Sequence, residues 1–361
     1  MSSLARFARF QAHRRAVETP PSSAPVPARP AILRPFDSGR PIRVGAINNP
    51  ASGRNLRSNG FQSILRAMGG TPGVPHYEVE QPADIEAATG RLAREGSEII
   101  VVNGGDGTVQ AVLTALFREP HLERFPLLAV LPGGTTNMIA GDVGTGQRPI
   151  RALEHLLGSA RSGRLDGVVV RRAVMRVDVT PSAEPIFGMF FGAGAIYHGI
   201  RFCRQRIHPL GMRRDAGPGL ALAVFLARAM LGRGGALFPP LQAWGRLDHE
   251  ALAANAYFGI LATTLERLLL GLRPFWGRGA GPLRYSALTY APQHCVRAAW
   301  SVMRGRPNRY VRPEFGYVSR NVHEVLLHLD GGFTLDGELF TAEPGRPVVL
   351  RGGHSALFLR W

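Results

Sequence analysis

The pattern of hydrophobic and polar positions changes once along the chain, near residue 160. Up to that point, short apolar runs alternate with amphipathic stretches. The apolar runs predict buried strands at 42–48, 98–103 and 127–131. The amphipathic stretches predict helices at 58–68, 83–95 and 109–117. Apolar strands separated by helices are typical of a parallel sheet that is covered on both faces.

Beyond about residue 161, apolar and polar residues alternate and β-branched residues become frequent. This rhythm predicts antiparallel strands. Helices are expected within this half at 218–231 and 293–304, and the final strands can return to pack near the first half. The sequence therefore predicts an α/β domain over 41–160, followed by an antiparallel β-rich domain over 161–361.

Composition adds a basic N-terminal tail to this picture. Residues 1–40 are rich in Arg, Pro and Ala and poor in acids, so we expect a disordered tail, with an organelle transit peptide as the alternative. The longest apolar stretches, 219–232 and 254–272, are interrupted by Arg228 and by Glu266 and Arg267. Neither reaches the roughly 18 uninterrupted apolar residues of a membrane span, so none is predicted.

The formal net charge of +17 comes entirely from arginine, because the sequence has no lysine. The missing lysine excludes a Walker A phosphate loop. Codon bias is one explanation for it, but the charge itself attracts phosphates, nucleic acid or acidic lipid surfaces. We predict no specific nucleic-acid partner, because the arginines are spread along the chain and do not flank aromatic stacking residues.

The segment 104–108, with sequence GGDGT, follows a predicted strand and precedes a predicted helix. Its glycines let successive backbone N–H groups approach an anion, and the positive end of the helix adds to this attraction. Asp106 is an unusual residue beside a phosphate unless a divalent cation lies between them. The segment therefore predicts a metal–nucleotide site, with a simple tight turn as the alternative.

Two more loops follow neighbouring predicted strands, NPASG at 49–53 and PGGTTN at 132–137. They offer glycines, hydroxyls and an amide, although each alone is compatible with ordinary turn chemistry. The carboxyl ends of parallel strands meet at one edge of a sheet. We therefore expect the three loops to form one phosphate-binding rim, which makes the first domain a nucleotide-binding domain.

A pair of carboxylates, Asp336 and Glu338, stands much later in the chain in the sequence LDGE. Phosphoryl transfer to a hydroxyl needs a carboxylate near the nucleophile and a metal ion that offsets phosphate charge. Gly337 permits close approach, so one carboxylate can act as base while the other positions metal or substrate. Asp-Gly is also a strong hairpin signal, and a purely structural hairpin remains open.

The order NPxSG, GGDGT, PxGTxN and DGE resembles the diacylglycerol kinase catalytic-domain family, which includes sphingosine kinases and bacterial soluble lipid kinases. The resemblance runs from residue 42 to the C-terminus. It implies an ATP-dependent phosphotransferase that uses Mg²⁺ and an alcohol acceptor. The chain departs from the family pattern at Met138, where many members have Asp, at 195–198, and near Glu80 and Gln81, where a Thr is expected.

Carried over by position, the resemblance implies a set of site residues. The catalytic residues would be Asp336, Glu338 and Asp106, and the candidate metal ligands would be Asp106 and Glu338. The ATP site would be lined by Asn49, Pro50, Ala51, Ser52, Gly53, Gly104, Gly105, Asp106, Gly107, Thr108, Val109, Gln110, Gly134, Thr135 and Asn137.

Three other segments carry weaker signals. The histidines of HEVLLH at 323–328 lie five apart on an alternating strand and face opposite sides, so no zinc site is predicted there. The segment 265–279 combines leucines, Phe275 and Trp276 with arginines, which suits either membrane insertion or core packing. A basic cluster is either a solvated face or an anionic-lipid patch; it comprises Arg201, Arg204, Arg206, Arg213 and Arg214.

The sequence thus favours a lipid kinase that phosphorylates a diacylglycerol-like or sphingoid-like lipid at a membrane surface. We expect a cytoplasmic protein, peripherally associated with anionic phospholipid, and a homo-oligomer is compatible with the sequence. One alternative is phosphorylation of a soluble substrate, as in the NAD kinases, which share GGDGT. The other is a nucleotide-binding protein without catalysis. The DGE pair and the late hydrophobic-basic segments favour a membrane-derived substrate.

Overall fold

The computed structural model describes residues 36–37, 39–57, 60–119, 122, 124–144, 146, 148–165, 167–180, 182–204 and 238–360. The predicted tail up to residue 35 and the predicted helix at 218–231 lie outside the described residues. So do three members of the basic cluster, Arg206, Arg213 and Arg214.

The described residues form seven α-helices and seventeen strands. The helices are α1 Gly60–Gly69, α2 Pro82–Arg94, α3 Asp106–Arg118, α4 Met138–Val143, α5 Pro149–Ser162, α6 Ala195–Phe202 and α7 Cys295–Arg304. The strands of the first half are β1 Phe36–Asp37, β2 Val44–Asn48, β3 His76–Glu78, β4 Ile99–Gly104, β5 Leu127–Pro132 and β6 Arg164–Leu165. The later strands are β7 Val168–Asp178, β8 Ile186–Gly188, β9 Phe190–Gly194, β10 Leu241–Leu247, β11 Glu250–Thr263, β12 Leu283–Thr289, β13 Tyr317–Val322, β14 Glu324–Leu329, β15 Gly332–Leu335, β16 Glu338–Thr341 and β17 Val348–Arg360.

The first half of the chain forms a parallel sheet in the strand order β3, β2, β4, β5. Along β4 every residue is buried, and successive side chains point to opposite faces. Ile99 and Val101 pack in the core beneath α1 and α5, whereas Ile100 and Val102 pack beneath α2 and α3. The predicted α/β class, with an antiparallel β-rich second half, is confirmed.

Helix α3 begins at Asp106, earlier than the predicted start at residue 109. Gly105 has extended backbone and caps the helix, and its carbonyl accepts hydrogen bonds from the N–H groups of Thr108 and Val109. The GGDGT segment is therefore not a free loop. Its last three residues form the first turn of α3, whose positive end lies at the carboxyl edge of β4.

The sequence predicted no helix between 161 and 217, but β9 ends at Gly194 and a helix follows it. Gly194 has a φ of 69°, which turns the chain out of β9. From Ala195 the buried positions recur at helical spacing, with Ala195 and Gly199 facing the core, and α6 follows. Strand β14, in contrast, forms as predicted and carries His328 within an alternating pattern.

The second half is a largely antiparallel extension of the same sheet, in the order β16, β15, β9, β11, β10, β14 and β17. Strand β17 joins the two halves. It pairs antiparallel with β14 and β7, and at Phe358 it pairs parallel with Leu128 of β5. Ala356 and Phe358 therefore belong to the core beneath α2 and α3. The predicted return of the final strands to the first half is present in the structure.

The aromatic rings of the segment 265–279 are partly buried. Trp276 packs against a small core that includes Ala298, Val302 and Tyr317, beneath helix α7. The ring of Phe275 lies 5.3 Å from the guanidinium carbon of Arg284. For these two rings the structure supports packing, the second of the two predicted alternatives. None of the helices within the described ranges is long and apolar enough to cross a bilayer.

Candidate active site

The three glycine-rich loops are hydrogen-bonded into one rim at the carboxyl edge of the parallel sheet. The hydroxyl of Ser52 accepts from the backbone N–H of Gly105 at 3.1 Å. The side-chain amide of Asn49 donates to the Thr108 hydroxyl at 3.0 Å. The backbone N–H of Arg54 donates to the carbonyl of Gly133 at 2.9 Å. The expectation that the loops meet at one sheet edge therefore agrees with the structure.

Glycine is required where two of these loops touch. A Cβ atom on Gly134 would collide with the Cα atom of Gly105, and one on Gly105 would come within 3.2 Å of the Cα atom of Gly134. The two backbones thus pack directly against each other. This contact brings the end of β5 against the first turn of α3 with no side chain between them.

Asp106 connects this rim to helix α4. Its Oδ2 accepts hydrogen bonds from the Thr136 hydroxyl at 2.6 Å and the Met138 N–H at 3.0 Å, and its Oδ1 accepts from the Ile139 N–H at 2.8 Å. Burial raises the pKa of Asp106 above its ordinary value, and these hydrogen bonds act in the opposite direction. The carboxylate therefore satisfies N–H groups in the first turn of α4.

Asn137 closes the PGGTTN loop. It has a φ of 48°, a left-handed conformation that Asn tolerates better than most residues. Its Oδ1 accepts from the N–H of Gly134, and its Nδ2 donates to the carbonyl of the same residue, both at 2.7 Å. Asn137 therefore shapes the loop that carries Gly134 and Thr135.

Asp336 and Gly337 form the tight turn of the hairpin between β15 and β16, with φ values of 49° and 90°. The hairpin alternative is thus correct as a description of the backbone. The turn also reaches the nucleotide rim, because a Cβ atom on Gly107 would collide with the carboxylate of Glu338. The late carboxylates and the first turn of α3 meet across the cleft.

The two carboxylates differ in environment. Asp336 is buried, and its Oδ2 and Oδ1 accept from the N–H groups of Met189 and Phe190 at 2.8 and 2.9 Å. Burial raises the pKa of Asp336 well above its ordinary value, and the negative charges of Asp106 and Glu338 add to the rise. Glu338 is half exposed and pairs with Arg204 at 2.9 Å.

One cavity of about 1410 Å³ joins these polar groups to an apolar channel. At one end it is lined by the three loops, Asp336 and Glu338. Most of the rest of its wall is apolar and comes from β9, α6, β11, the 268–274 loop, α7 and β16, although Glu80, Glu86, Arg118 and Arg204 also line the cavity. Representative wall residues are Phe190, Ile196, Leu261, Leu272, Met303 and Phe340.

Most of the predicted site residues line this cavity. The residues that do so are Asn49, Ala51, Ser52, Gly53, Gly105, Asp106, Gly107, Thr108, Gln110, Gly134, Thr135, Asp336 and Glu338. Four predicted residues are not among its lining: Pro50, Gly104, Val109 and Asn137. Val109 is a core residue, and Gly104 ends β4, where a side chain would collide with Thr108.

Sequence reasoning missed three contributors to the site. Thr136 holds Asp106, the backbone amides of Met189 and Phe190 hold Asp336, and Arg204 holds Glu338. Thr136 could have been found, since it lies inside the PGGTTN motif. Arg204 was named only as one of several clustered arginines, and nothing in the sequence ties it to a carboxylate so far along the chain.

The residues of the rim suit a nucleotide phosphate. They combine glycine backbone, the Ser52 and Thr108 hydroxyls and the N-terminus of α3. The Oδ1 atom of Asn49, at the cavity wall, is buried and accepts no hydrogen bond from the part of the chain that the structure describes. Among the described residues, no group of three or more His, Cys, Asp or Glu side chains could hold a metal ion unaided. Mg²⁺ usually takes only one or two carboxylates and completes its shell with phosphates and water.

Comparison with known proteins identifies this arrangement. Residues 43–166 match the model of the diacylglycerol kinase catalytic domain. Two solved structures of proteins from Bacillus anthracis share the fold at 15% sequence identity. The first has a TM-score of 0.60, and the match covers 89% of this chain and 95% of that chain. The second, a diacylglycerol kinase, has a TM-score of 0.56, and the match covers 88% of this chain and 96% of that chain. The class is therefore an α/β protein with the diacylglycerol kinase fold.

Two curated proteins match parts of the sequence. The "Probable lipid kinase YegS-like" protein of Chromohalobacter salexigens is 40% identical over 67 residues, 18% of this chain and 21% of that protein. A diacylglycerol kinase of Staphylococcus carnosus is 29% identical over 96 residues, 26% of this chain and 30% of that protein. The chain thus spans less than a third of the curated relatives it matches. Residues 43–166 match the diacylglycerol kinase catalytic domain family, as the motifs predicted.

Proposed function

We propose that this protein is an ATP-dependent lipid kinase that transfers the γ-phosphoryl group of ATP to the hydroxyl of a diacylglycerol-like or sphingoid-like lipid. The observation that carries the proposal is the single cavity that runs from the glycine-rich rim to an apolar channel. A soluble polar substrate gains nothing from apolar walls of this extent. A lipid needs them, because its chains must leave water while its hydroxyl approaches the phosphate.

Asp336 is the proposed general base. Its raised pKa favours proton acceptance, and its side chain is held on the cavity wall by two backbone amides. The hydroxyl oxygen of the lipid bonds to the γ-phosphorus, its proton passes to Asp336, and the bond from that phosphorus to the bridging oxygen of ADP breaks. The products are the phosphorylated lipid and ADP.

Glu338 is the proposed metal ligand. Both oxygens of Asp106 already accept hydrogen bonds from α4 and Thr136, whereas Glu338 is half exposed at the cavity wall beside Gly107. Mg²⁺ would neutralise charge on the phosphates when it is bound. Arg204 pairs with Glu338 and adds a second positive charge at the same place. We therefore propose Glu338 and not Asp106 as the metal ligand, and we propose that Asp106 positions the rim.

The substrate assay uses radiolabelled ATP with the purified protein and a panel of diacylglycerol, monoacylglycerol, sphingosine, ceramide and NAD. We expect label in one or more lipids and a requirement for Mg²⁺. A matched control is the variant Asp336→Asn, which should bind ATP and transfer little label. Label that appears only in NAD, or in no acceptor while ATP binds, would contradict the lipid kinase proposal.

A further inference from the structure

Three large apolar side chains are exposed on helix α7 and the 268–274 loop, two segments that line the cavity. Val296 is 75% exposed, Trp300 is 62% exposed and Leu270 is 61% exposed. Val296 and Trp300 lie four residues apart on α7 and therefore share one face of the helix. Both also line the cavity, as do Leu269 and Leu272 on either side of Leu270. The apolar wall of the cavity thus continues out to solvent at this place.

Leu270 is held in an unusual conformation. It has a φ of 57° and a ψ of 21°, in the left-handed region that a branched residue rarely adopts. A short turn maintains it, in which the Gly271 N–H donates to the Leu268 carbonyl at 3.0 Å. The Arg273 N–H donates to the Met303 carbonyl at 3.0 Å, which attaches this turn to the end of α7. A strained, exposed leucine that the fold maintains indicates a functional contact.

Positive charge accompanies Val296 and Trp300 on the same stretch of the chain. The chain from Cys295 to Arg312 contains five arginines and no acidic residue, and all five arginines are exposed. The guanidinium carbon of Arg304 lies 4.7 Å from the centre of the Trp300 ring. Aromatic and aliphatic groups beside arginines match the interface of an anionic bilayer, where rings enter the headgroup layer and arginines meet lipid phosphates.

We propose that Leu270, Val296 and Trp300, with the arginines of 297–312, form a surface that docks on an anionic phospholipid bilayer. The substrate would then pass from the bilayer into the cavity between α7 and the 268–274 loop without crossing water. A second copy of the chain suits this surface less well, because self-association would place like charges opposite each other. The proposal rests on the lipid kinase function above, since it supplies the route of that substrate.

Vesicle sedimentation tests the surface directly. The double variant Leu270→Ser/Trp300→Ser should lose about tenfold or more in affinity for phosphatidylcholine vesicles that contain phosphatidylglycerol, a change equal to about 1.4 kcal/mol. The control is Leu56→Ser, which makes the same change at a leucine that is 73% exposed but lies outside the cavity lining. It should bind like the parent. The parent and both variants should bind pure phosphatidylcholine vesicles weakly.

A second arm separates docking from catalysis. The single variant Leu270→Ser, whose side chain lies outside the cavity lining, should lose vesicle affinity yet keep turnover within a few-fold of the parent toward a short-chain diacylglycerol dissolved as monomers. Vesicle binding that depends on these residues, without lipid phosphorylation by any variant, would overturn the kinase function and leave the docking surface standing. Unchanged vesicle affinity in the double variant would overturn the docking surface, as would a change from dimer to monomer with vesicle binding intact.

Discussion

The two carboxylates of one hairpin turn have opposite surroundings. Asp336 is buried with both oxygens on backbone amides, whereas Glu338 is half exposed beside an arginine. A base profits from burial, because burial raises its proton affinity, and a metal ligand profits from remaining ionised and accessible. The difference in burial therefore favours Asp336 as the proposed base and Glu338 as the proposed metal ligand, two roles that the sequence leaves interchangeable.

Replacing Asp336 by Asn should lower turnover by about a hundred- to ten-thousand-fold, the usual range for loss of a general base. The amide keeps the shape of the turn but cannot take the hydroxyl proton. ATP affinity should change little, because the glycine-rich rim comes from other loops. Turnover and equilibrium ATP binding, measured on the same preparation, check this. Turnover within a few-fold of the parent would reduce Asp336 to a hairpin residue.

Replacing Glu338 by Gln should move the acidic limb of the pH profile of kcat/KM to lower pH. The negative charge of Glu338 helps to raise the pKa of Asp336, so its removal lets Asp336 lose its proton at lower pH. The profile of the variant Glu343→Gln, an exposed glutamate paired with Arg346, should match that of the parent. A limb that stays in place, or moves to higher pH, would contradict the proposed base.

The sequence predicted which residue types form the site, but not which of them touch. The motifs supplied Asp106, Asp336 and Glu338. The partners that fix these carboxylates are distant in sequence: Asp106 meets Thr136 and the start of α4, and Asp336 meets the amides of β9. Backbone amides carry no residue-type signal, so neither motif nor composition could have indicated them.

Among the elements, the short helix α4 depends on a side chain from another element. The N–H groups of its first turn have no carbonyl within the helix to receive them, and Asp106 of α3 accepts two of these hydrogen bonds. This link fixes α4 and the PGGTTN loop relative to the first turn of α3. Together with the hydrogen bonds of Asn49 and Ser52 to Thr108 and Gly105, this link makes the three glycine-rich loops one structural unit.

The variant Asp106→Ala should lose about 1–3 kcal/mol of folding stability, because it leaves buried N–H groups of α4 without an acceptor. The variant Thr136→Val removes one donor and leaves both N–H bonds, so it should lose about 1 kcal/mol or less. Urea unfolding of both variants and the parent gives the comparison. Equal stability of Asp106→Ala and the parent would show that α4 does not need the carboxylate.

Element types were easier to predict than their ends. Buried parallel strands are continuous apolar runs, so β2, β4 and β5 stood out. The start of α3 was placed too late, because Asp106, Gly107 and Thr108 are poor helix formers that the capping geometry nevertheless places in the first turn. The helix after β9 was missed because the positive φ of Gly194, which ends the strand, is a tertiary feature.

At the scale of the whole molecule, a buried ion pair joins separate parts of the fold. Arg172 of β7 lies 3.0 Å from Asp142 of α4, and both are buried. Arg172 also lies 3.3 Å from Glu266, in the segment after β11. The pair thus connects the nucleotide half, the bridging strands and the loop that leads to Leu270.

The variant Arg172→Met should lose about 3–5 kcal/mol of stability, because it leaves the buried carboxylate of Asp142 without its main partner. The double variant Arg172→Met/Asp142→Leu should lose clearly less, since no buried charge remains. Urea unfolding of the two variants decides the point. If the double variant is no more stable than the single one, the loss comes from packing and not from the unpaired charge.

Strand β17 also gives the protein a particular order of assembly during translation. Residues 348–360 leave the ribosome long after β5, the strand against which Phe358 pairs. Until then, the nascent nucleotide half exposes an open strand edge and lacks Ala356 and Phe358 in its core. Proteins of two domains usually complete the first one while the second is being made. Here neither half can finish alone, so a nascent chain stalled before β17 should be sensitive to proteases and bound by chaperones.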